Sequence, residues 1–245
     1  MTRFEEKSGL AKSAEELADL ELAGEELDAA DIEFERKLAK LSGKASVETL
    51  AGGASRGVAL AITILAAIGA FSSLELVLSE KQKLKFPNQA LVCDINPLIG
   101  CGKWIGTWQN EVFFGISNST LGLAGFSALL MIGLVLLTGG RFGRLLWQAL
   151  SAGTVIAISW VGWFMYQSFV IERSLCPWCV VVWFVTIPLT VIVLGTALQA
   201  GHLGKTGVKA GEFIARNRLV LIFGSYLLLI LFTTFWFWDQ WSLVF

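Results

Sequence analysis

Five long apolar stretches, separated by shorter polar segments, occupy the chain from Val58 onward. Each stretch is nearly free of charged residues and is long enough for an α-helix to cross a hydrocarbon core of about 30 Å. The predicted spans are Val58–Leu78, Asn118–Thr138, Leu145–Val170, Val180–Leu198 and Leu219–Trp238. The pattern predicts an all-α, polytopic membrane protein.

The composition of the chain agrees with a membrane protein. Of the 245 residues, 55% are hydrophobic and 16% are charged, and the mean hydropathy is +0.65. Soluble domains are usually only about 45–50% apolar. The net charge is −1 and the basic residues do not gather on one segment, so we expect no nucleic-acid partner.

The N-terminal segment differs from the rest of the chain. Residues 1–50 hold thirteen Asp or Glu and seven Lys or Arg, with no long apolar run. Such a segment cannot enter a bilayer, and its irregular leucine spacing does not define a regular amphipathic helix. We therefore expect residues 1–56 to form an acidic cytoplasmic segment that is partly helical or disordered.

The distribution of positive charge predicts the orientation of the spans. With the N-terminus inside, more Lys and Arg residues lie on the cytoplasmic side than on the outer side. The inner set is Arg56, Arg141, Arg144, Lys205, Lys209, Arg216 and Arg218, and the outer set is Lys81, Lys83, Lys85, Lys103 and Arg173. We expect a multi-pass protein of the cell (plasma) membrane with its cysteines on the extracytoplasmic face.

Candidate chemistry is carried by the Cys176-Pro-Trp-Cys179 motif at the start of the fourth span. The two thiols lie one helical turn apart, and Pro177 suits a first turn because its missing N–H would have no partner there. The positive end of the helix dipole favours thiolate. The pair is a candidate redox centre, although C-x-x-C spacing also occurs in zinc sites and in inert pairs.

A second cysteine pair, Cys93 and Cys101, lies in the long outer loop between the first two spans. Asn96, Pro97 and Gly100 favour turns between the two cysteines. The loop can therefore fold back and bring one of its sulfurs close to the fourth span. Which of the two sulfurs comes close is left open by the sequence.

A short interfacial helix is predicted after this pair. Apolar residues recur there at helical spacing, and polar residues lie off that face. The apolar positions are Trp104, Ile105, Trp108 and Val112. This helix either packs on the bundle without a role in the chemistry or acts as a lid that shields the site from water.

These residues resemble the vitamin K epoxide reductase family, in particular its quinone-linked, actinobacterial-like bacterial members that drive disulfide formation. The resemblance rests on the loop pair Cys93 and Cys101, on the Ser117–Gly122 opening of the second span, and on the Cys176-x-x-Cys179 motif. It covers about Val58–Leu198 and implies a catalytic four-helix bundle, residues 57–200, that encloses a quinone. Residues 201–245 then form a cytoplasmic loop and a fifth transmembrane helix.

The resemblance also implies roles for the four cysteines. Cys176 and Cys179 form the redox centre beside a lipid quinone of the menaquinone or ubiquinone type, and Cys93 and Cys101 bring electrons from a partner. We expect Cys179, one turn deeper, to meet the quinone and Cys176 to exchange with the loop. Because no thioredoxin-like domain follows the fifth span, the expected partner is a separate, DsbA-like thioredoxin-fold thiol oxidase.

Two further residues are candidates for quinone binding. Asn118 stands where the family offers an amide to a quinone carbonyl; the alternative is an ordinary N-cap for the second span. Trp183 stands four residues after Cys179, where some relatives have a Tyr hydroxyl that faces the quinone. A metal site is not expected, because the cysteine spacing without a nearby His does not favour zinc.

Three functions follow from this reading. The first is a membrane thiol oxidoreductase that supports disulfide bond formation in exported proteins by passing electrons from its partner to a lipid quinone. The alternative within enzymes is reduction of vitamin K quinone or its epoxide through the same cysteines. A different class is a non-catalytic membrane scaffold or transporter whose cysteines form structural disulfides. The acidic N-terminal segment and the fifth span favour the first.

Overall fold

The computed structural model describes residues 43–243, so the predicted N-terminal segment lies outside it apart from residues 43–56. The α-helices of this part are α1 (Val47–Leu50), α2 (Arg56–Lys85), α3 (Asn118–Leu137), α4 (Arg144–Tyr166), α5 (Pro177–Gln199), α6 (Val208–Arg216) and α7 (Arg218–Trp236). A π-helix, Gln167–Ile171, continues α4. Short 3₁₀ helices occupy Trp108–Asn110, Lys205–Gly207 and Trp238–Leu243.

Five helices of the described part are long and apolar enough to cross a membrane. They are α2, α3, α4 with its π-helical extension, α5 and α7. The five predicted spans and the all-α fold class are thereby confirmed. The largest difference is at the end of α2, which continues beyond the predicted Leu78 to Lys85. It ends before Phe86-Pro87, because the residue that precedes a proline disfavours helical backbone.

Close packing of small residues joins α2 to α3. A Cβ on Gly133 would lie 2.6 Å from Thr63 Oγ1 and 3.0 Å from its backbone N, and a Cβ on Gly122 would lie 2.9 Å from Ser73 Oγ. Such residues let helix backbones approach closely in a bilayer. α2 also packs on α5, and α5 packs on α4, whereas contacts between α3 and α4 are sparse. The bundle is therefore open on the side between α3 and α4.

The fifth span, α7, lies outside this bundle and packs on α5. Tyr226 Oη donates to the carbonyl oxygen of Phe184 at 2.5 Å, and Trp236 Nε1 donates to that of Phe169 at 2.7 Å. Phe237 is fully buried, with its ring 5.6 Å from the ring of Phe169. α7 is thus attached both to α5 and to the π-helix that precedes the Cys176 segment.

Interlocking hydrogen bonds close the end of the bundle opposite the cysteines. Trp147, which is fully buried, donates from Nε1 to the carbonyl oxygen of Gly52 at 3.0 Å and stacks on the His202 ring. The carbonyl oxygen of His202 accepts from Arg144 Nε at 2.8 Å and from Gln148 Nε2 at 3.0 Å. The segments before α2 and after α5 are therefore tied to the start of α4.

Two parts of the chain outside the five spans also differ from the sequence prediction. The continuous helix predicted over Trp104–Val112 is wrong: this segment forms turns and the 3₁₀ helix Trp108–Asn110, because Gly106, at φ +77°, reverses the backbone. The predicted cytoplasmic loop after α5 contains the helix α6. A Cβ on Gly211 of α6 would lie 2.1 Å from the backbone N of Gln199, so α6 packs against the end of α5.

Candidate functional site

The loop cysteines, Cys93 and Cys101, form a disulfide with Cα atoms 5.7 Å apart. Asp94 holds this loop closed, because its Oδ1 accepts from the Gly102 N–H at 2.8 Å and its Oδ2 from the Leu91 N–H at 3.2 Å. A Cβ on Gly102 would lie 2.7 Å from Asp94 Oδ2, so a larger residue there would disturb this bond. Both cysteines of the disulfide are buried, although other residues of the loop, such as Val92 and Ile95, are exposed.

A pair of backbone hydrogen bonds joins this loop to the segment that leads into α5. The Leu175 N–H donates to the Leu98 carbonyl at 2.8 Å, and the Gly100 N–H donates to the Leu175 carbonyl at 2.9 Å. Ser174 Oγ also donates to the Leu98 carbonyl, at 3.2 Å. These bonds set the two cysteine pairs side by side.

Cys176 is the N-cap of α5, and its Sγ accepts from the Cys179 backbone N–H at 3.4 Å. Pro177 follows at the first helical position, as the sequence predicted. Cys176 Sγ lies 3.5 Å from Cys101 Sγ. The sulfur that faces α5 is therefore that of Cys101, and both Cys176 and Cys179 are free thiols beside the loop disulfide.

The surroundings of Cys176 favour its thiolate. Its hydrogen bond with the Cys179 side chain is the largest cause that lowers the pKa of the Cys176 thiol below its ordinary value, and the backbone N–H groups of Cys179 and Trp178 act in the same direction. Burial and the charge of Asp94 oppose this shift. Since thiol–disulfide exchange proceeds through thiolates, a lowered pKa suits Cys176 to exchange with Cys101, in which it can attack or leave as a thiolate.

A cavity of about 690 Å³ adjoins the cysteines, a volume in the range of small-molecule sites. Its walls are mostly apolar, and Cys101, Cys176 and Cys179 lie at one end. The polar side chains among its lining residues include Glu80, Asn110, Asn118 and Ser119. The cavity can hold an apolar ring whose polar atoms lie near the cysteines.

The same cavity extends between α3 and α4, where the bundle is open. Small residues line it on both helices, with Gly122 and Gly125 on α3 and Gly153 and Ala157 on α4. Because these residues have little or no side chain, a slender apolar chain can pass between the two helices. The cavity therefore combines a site near the cysteines with a lateral opening.

Asn118 lines the cavity but does not cap α3. The N-cap of α3 is Ser117, and Asn118 Nδ2 donates instead to the Gln109 carbonyl at 2.8 Å. The alternative interpretation of Asn118 as the N-cap is therefore wrong. Its Oδ1 is buried and has no hydrogen-bond partner among residues 43–243. A buried amide oxygen that lacks a partner is unfavourable, and a ligand hydroxyl could satisfy it.

Trp183 forms part of the cavity wall. Its side chain is buried, and its ring lies 5.9 Å from the ring of Phe169, which in turn packs on Phe237. Trp183 thus connects the cavity to the aromatic residues that anchor α7. Its position agrees with the predicted quinone contact, which stays a prediction.

Glu80 is a polar residue of the cavity that sequence reasoning missed. Its Oε1 accepts from Asn110 Nδ2, and its Oε2 accepts from Ser119 Oγ at 2.9 Å. The sequence interpretation placed Glu80 in the outer loop because it ended the first span at Leu78. The absence of any helix breaker before Pro87 was the signal that could have extended the helix and brought Glu80 to the bundle.

Comparison with known proteins adds one match to this geometry. A family model described as Vitamin K epoxide reductase family matches residues 60–194, which is more than half of the chain. No curated protein matches the sequence. The matched segment runs from α2 into α5 and includes both cysteine pairs, Asn118 and Trp183, whereas α6 and α7 lie beyond it.

Proposed function

Because the chain belongs to the vitamin K epoxide reductase family, a family of membrane oxidoreductases, we propose that it re-oxidises an extracytoplasmic dithiol partner and passes the electrons to a lipid quinone. The partner class is a DsbA-like thioredoxin-fold thiol oxidase, whose renewed disulfide supports folding of exported proteins. The observation that carries the proposal is the 3.5 Å approach of Cys176 Sγ to Cys101 Sγ of the loop disulfide. This contact provides a path for thiol–disulfide exchange from the loop into the bundle.

The first exchange takes place between the partner and the loop. A partner thiolate attacks Cys93, breaks the Cys93–Cys101 bond and releases Cys101 as a thiolate. The second partner thiol then attacks the mixed disulfide, so the partner is oxidised and both loop cysteines are reduced. Cys93 is assigned to the partner because Cys101 faces Cys176.

The second exchange moves the electrons into α5. The Cys101 thiolate attacks Cys176 of an oxidised Cys176–Cys179 pair and releases Cys179. Cys93 then attacks Cys101, which restores the loop disulfide and releases Cys176 as a thiolate. The result is the arrangement in this structure, with the loop pair oxidised and the α5 pair reduced.

The residues around the cavity fit a lipid quinone. A bound quinone supplies the final electron acceptor, taking two electrons and two protons as the Cys176–Cys179 disulfide forms. Trp183 provides an apolar wall. Asn118 uses one Nδ2 hydrogen on the Gln109 carbonyl and has a second one to donate to a quinone carbonyl, while its unpartnered Oδ1 can accept from a quinol hydroxyl. The opening between α3 and α4 accommodates the isoprenoid tail of a menaquinone or ubiquinone type.

The proposed location is the cell membrane, with the cysteine end outside. More basic residues lie at the opposite end of the bundle, and the positive-inside rule places that end in the cytoplasm. Disulfides persist mainly in oxidising compartments, which suits the loop pair. The chain's acidic N-terminal segment would then be cytoplasmic.

Purified protein tests the proposal directly. We expect quinone-dependent oxidation of a reduced thioredoxin-fold dithiol protein by the wild type, and loss of that oxidation in Cys176→Ser. Reduction of vitamin K epoxide without partner oxidation would instead support the alternative role within the family. If folded wild-type protein does neither, the cysteines are structural and the proposed electron transfer is wrong.

A further inference from the structure

The α5 cysteines deliver fewer protons than their proposed acceptor takes up. Oxidation of a Cys176 thiolate and a Cys179 thiol to a disulfide releases two electrons and one proton. Conversion of a quinone to a quinol consumes two electrons and two protons. On the proposed function, on which this inference rests, one further proton must reach the cavity for each turnover.

Glu80 is placed to handle a proton at the cavity. It lines the same cavity as Cys176 and Cys179, whose thiols are the other titratable groups among the lining residues. Its two carboxylate oxygens accept from different partners, Asn110 Nδ2 and Ser119 Oγ. A carboxylate so held by an amide and a hydroxyl can gain and lose a proton without moving far.

A chain of hydroxyl groups connects Glu80 to the surface. Ser119 Oγ, which donates to Glu80 Oε2 at 2.9 Å, lies 2.9 Å from Ser117 Oγ. Ser117 Oγ lies 2.9 Å from Thr120 Oγ1, and Thr120 is exposed. Ser119 is buried, so the chain runs from the inside of the bundle to its outside. Each hydroxyl can both donate and accept, which lets a proton pass along the chain in either direction.

We propose that Glu80 gives the second proton to the bound quinone and is reprotonated from the surface through Ser119, Ser117 and Thr120. The O–H bond of the Glu80 carboxylic acid breaks and its proton passes to the quinone oxygen. Ser119 then donates its hydroxyl proton to the Glu80 carboxylate and recovers one from Ser117. Ser117 recovers one from Thr120, and Thr120 takes one from water, so no atom of the chain is consumed.

A tether is the competing role for Glu80, since it also joins the Asn110 segment to the start of α3. Glu80→Gln separates the two roles. Glutamine keeps the size of the side chain and an oxygen that can accept from Asn110, while its amide nitrogen can donate to Ser119, whose hydroxyl can accept. The substitution removes the transferable carboxyl proton. If Glu80 is only a tether, the Glu80→Gln variant should have nearly normal turnover. If Glu80 is a proton donor, the turnover of this variant should be greatly reduced.

The first measurement is the rate of quinol formation from the reduced protein. We expect Glu80→Gln and Ser119→Ala to lower it about a hundredfold, the scale of general acid catalysis, and added formate to restore part of it. The exchange between Cys101 and Cys176 should keep its wild-type rate. Glu75→Gln is the matched control, because Glu75 lies on the same helix and is not among the lining residues. Wild-type rates in Glu80→Gln would overturn the proposal.

The second measurement needs no quinone. After a rapid drop in pH, infrared absorption follows the appearance of the Glu80 carboxylic acid band, identified by its loss in Glu80→Gln. We expect this band to appear much more slowly in Ser119→Ala than in the wild type. Equal rates of appearance in the two proteins would contradict the proposed hydroxyl path. If the wild-type protein reduces no quinone, the proposed function is wrong. If the wild-type protein reduces quinone and the Glu80→Gln variant is equally active, only the present inference is wrong.

Discussion

At the scale of single residues, the position of Cys101 decides the order of exchange. Its sulfur is bonded to Cys93 and lies 3.5 Å from Cys176 Sγ, so it belongs to both cysteine systems. Cys179 lies one turn into α5 and lines the cavity. On the proposed route, Cys93 and Cys179 can each resolve a Cys101–Cys176 linkage, Cys93 from the loop side and Cys179 from the α5 side.

We therefore expect Cys179→Ser to accumulate a Cys101–Cys176 disulfide. Cys176 can still attack Cys101 and release Cys93, and without Cys179 the linkage can be resolved only by the return of Cys93 to Cys101, so its steady-state amount should rise. Mass spectrometry of the non-reduced protein should detect the linked peptides. Cys176→Ser is the control, in which no linkage to α5 through this position can form. A folded Cys179→Ser variant without the linkage would contradict the proposed route.

Asn118→Ala should slow the quinone step while leaving thiol exchange intact. Loss of a hydrogen bond in a site of low dielectric costs about 1–3 kcal/mol, or about five- to a hundredfold in rate. Single-turnover oxidation of the partner and steady-state turnover with quinone separate the two steps. Asn217→Ala is the matched control, since Asn217 Nδ2 also donates to a backbone carbonyl, that of Phe213 at 2.9 Å. Equal turnover with quinone in both variants would show that Asn118 does not contact the quinone.

The sequence identifies the residue types of the site better than their contacts. The two cysteine pairs are recognisable because each pair has a local spacing, and Cys176 and Asn118 also stand at predicted span boundaries. The choice between Cys93 and Cys101 depends on the pairing of Leu98 with Leu175, which lies far along the chain and leaves no local pattern. The role of Asn118 as a donor to the Gln109 carbonyl depends on the same kind of long-range contact.

At the scale of elements, α7 supports the wall of the cavity from outside the bundle. Trp236 donates to the Phe169 carbonyl in the π-helix, and Phe169 packs on Trp183 of the cavity wall. A π-helix leaves part of its backbone without the usual α-helical partners. α7 supplies one of the missing partners and thereby holds the segment that leads to Cys176.

Trp236→Phe should destabilise the protein without removing the apolar contact area of α7. The lost hydrogen bond is worth about 1 kcal/mol, which corresponds to about 2–4 °C in melting temperature for a protein of this size. Thermal unfolding in detergent provides the measurement. Trp238→Phe, at a neighbouring exposed tryptophan, should leave the melting temperature near wild type. Equal melting temperatures for the two variants would show that α7 does not support the π-helix in this way.

Among the elements, the length of the apolar stretches predicts the membrane spans correctly, whereas the helical spacing of apolar residues gives a wrong prediction for the outer loop. A long apolar stretch has few stable alternatives to a helix in a bilayer, since its backbone groups must pair within the segment. The helical spacing of Trp104 and Trp108 has another cause: their rings pack on Phe164 and Trp163 of α4. Aromatic contacts with a neighbouring helix can therefore imitate an amphipathic pattern.

At the scale of the whole molecule, the proposed function requires the cysteine end to face the outside. We expect a Cys placed at Gln89 to react with a membrane-impermeant thiol reagent in intact cells, and a Cys placed at Lys44 to react only after lysis. Both positions are exposed and polar, and they lie at opposite ends of α2. The wild-type protein gives the background from its own cysteines. The reverse pattern would invert the topology and contradict the proposed compartment.

The closed end of the bundle also bears on whether turnover depends on the membrane potential. Trp147 donates to Gly52 and stacks on His202 at the end opposite the cysteines. We expect this packing to act as a seal against protons, so on the proposed route partner oxidation and quinol formation exchange protons with one compartment only. The cycle is then electrically silent. Each charge moved through 100 mV would change the free energy by about 2.3 kcal/mol, so an uncoupler should leave turnover in sealed vesicles unchanged. An uncoupler-dependent rate would show that charge crosses the bilayer, and that the seal is not complete during turnover.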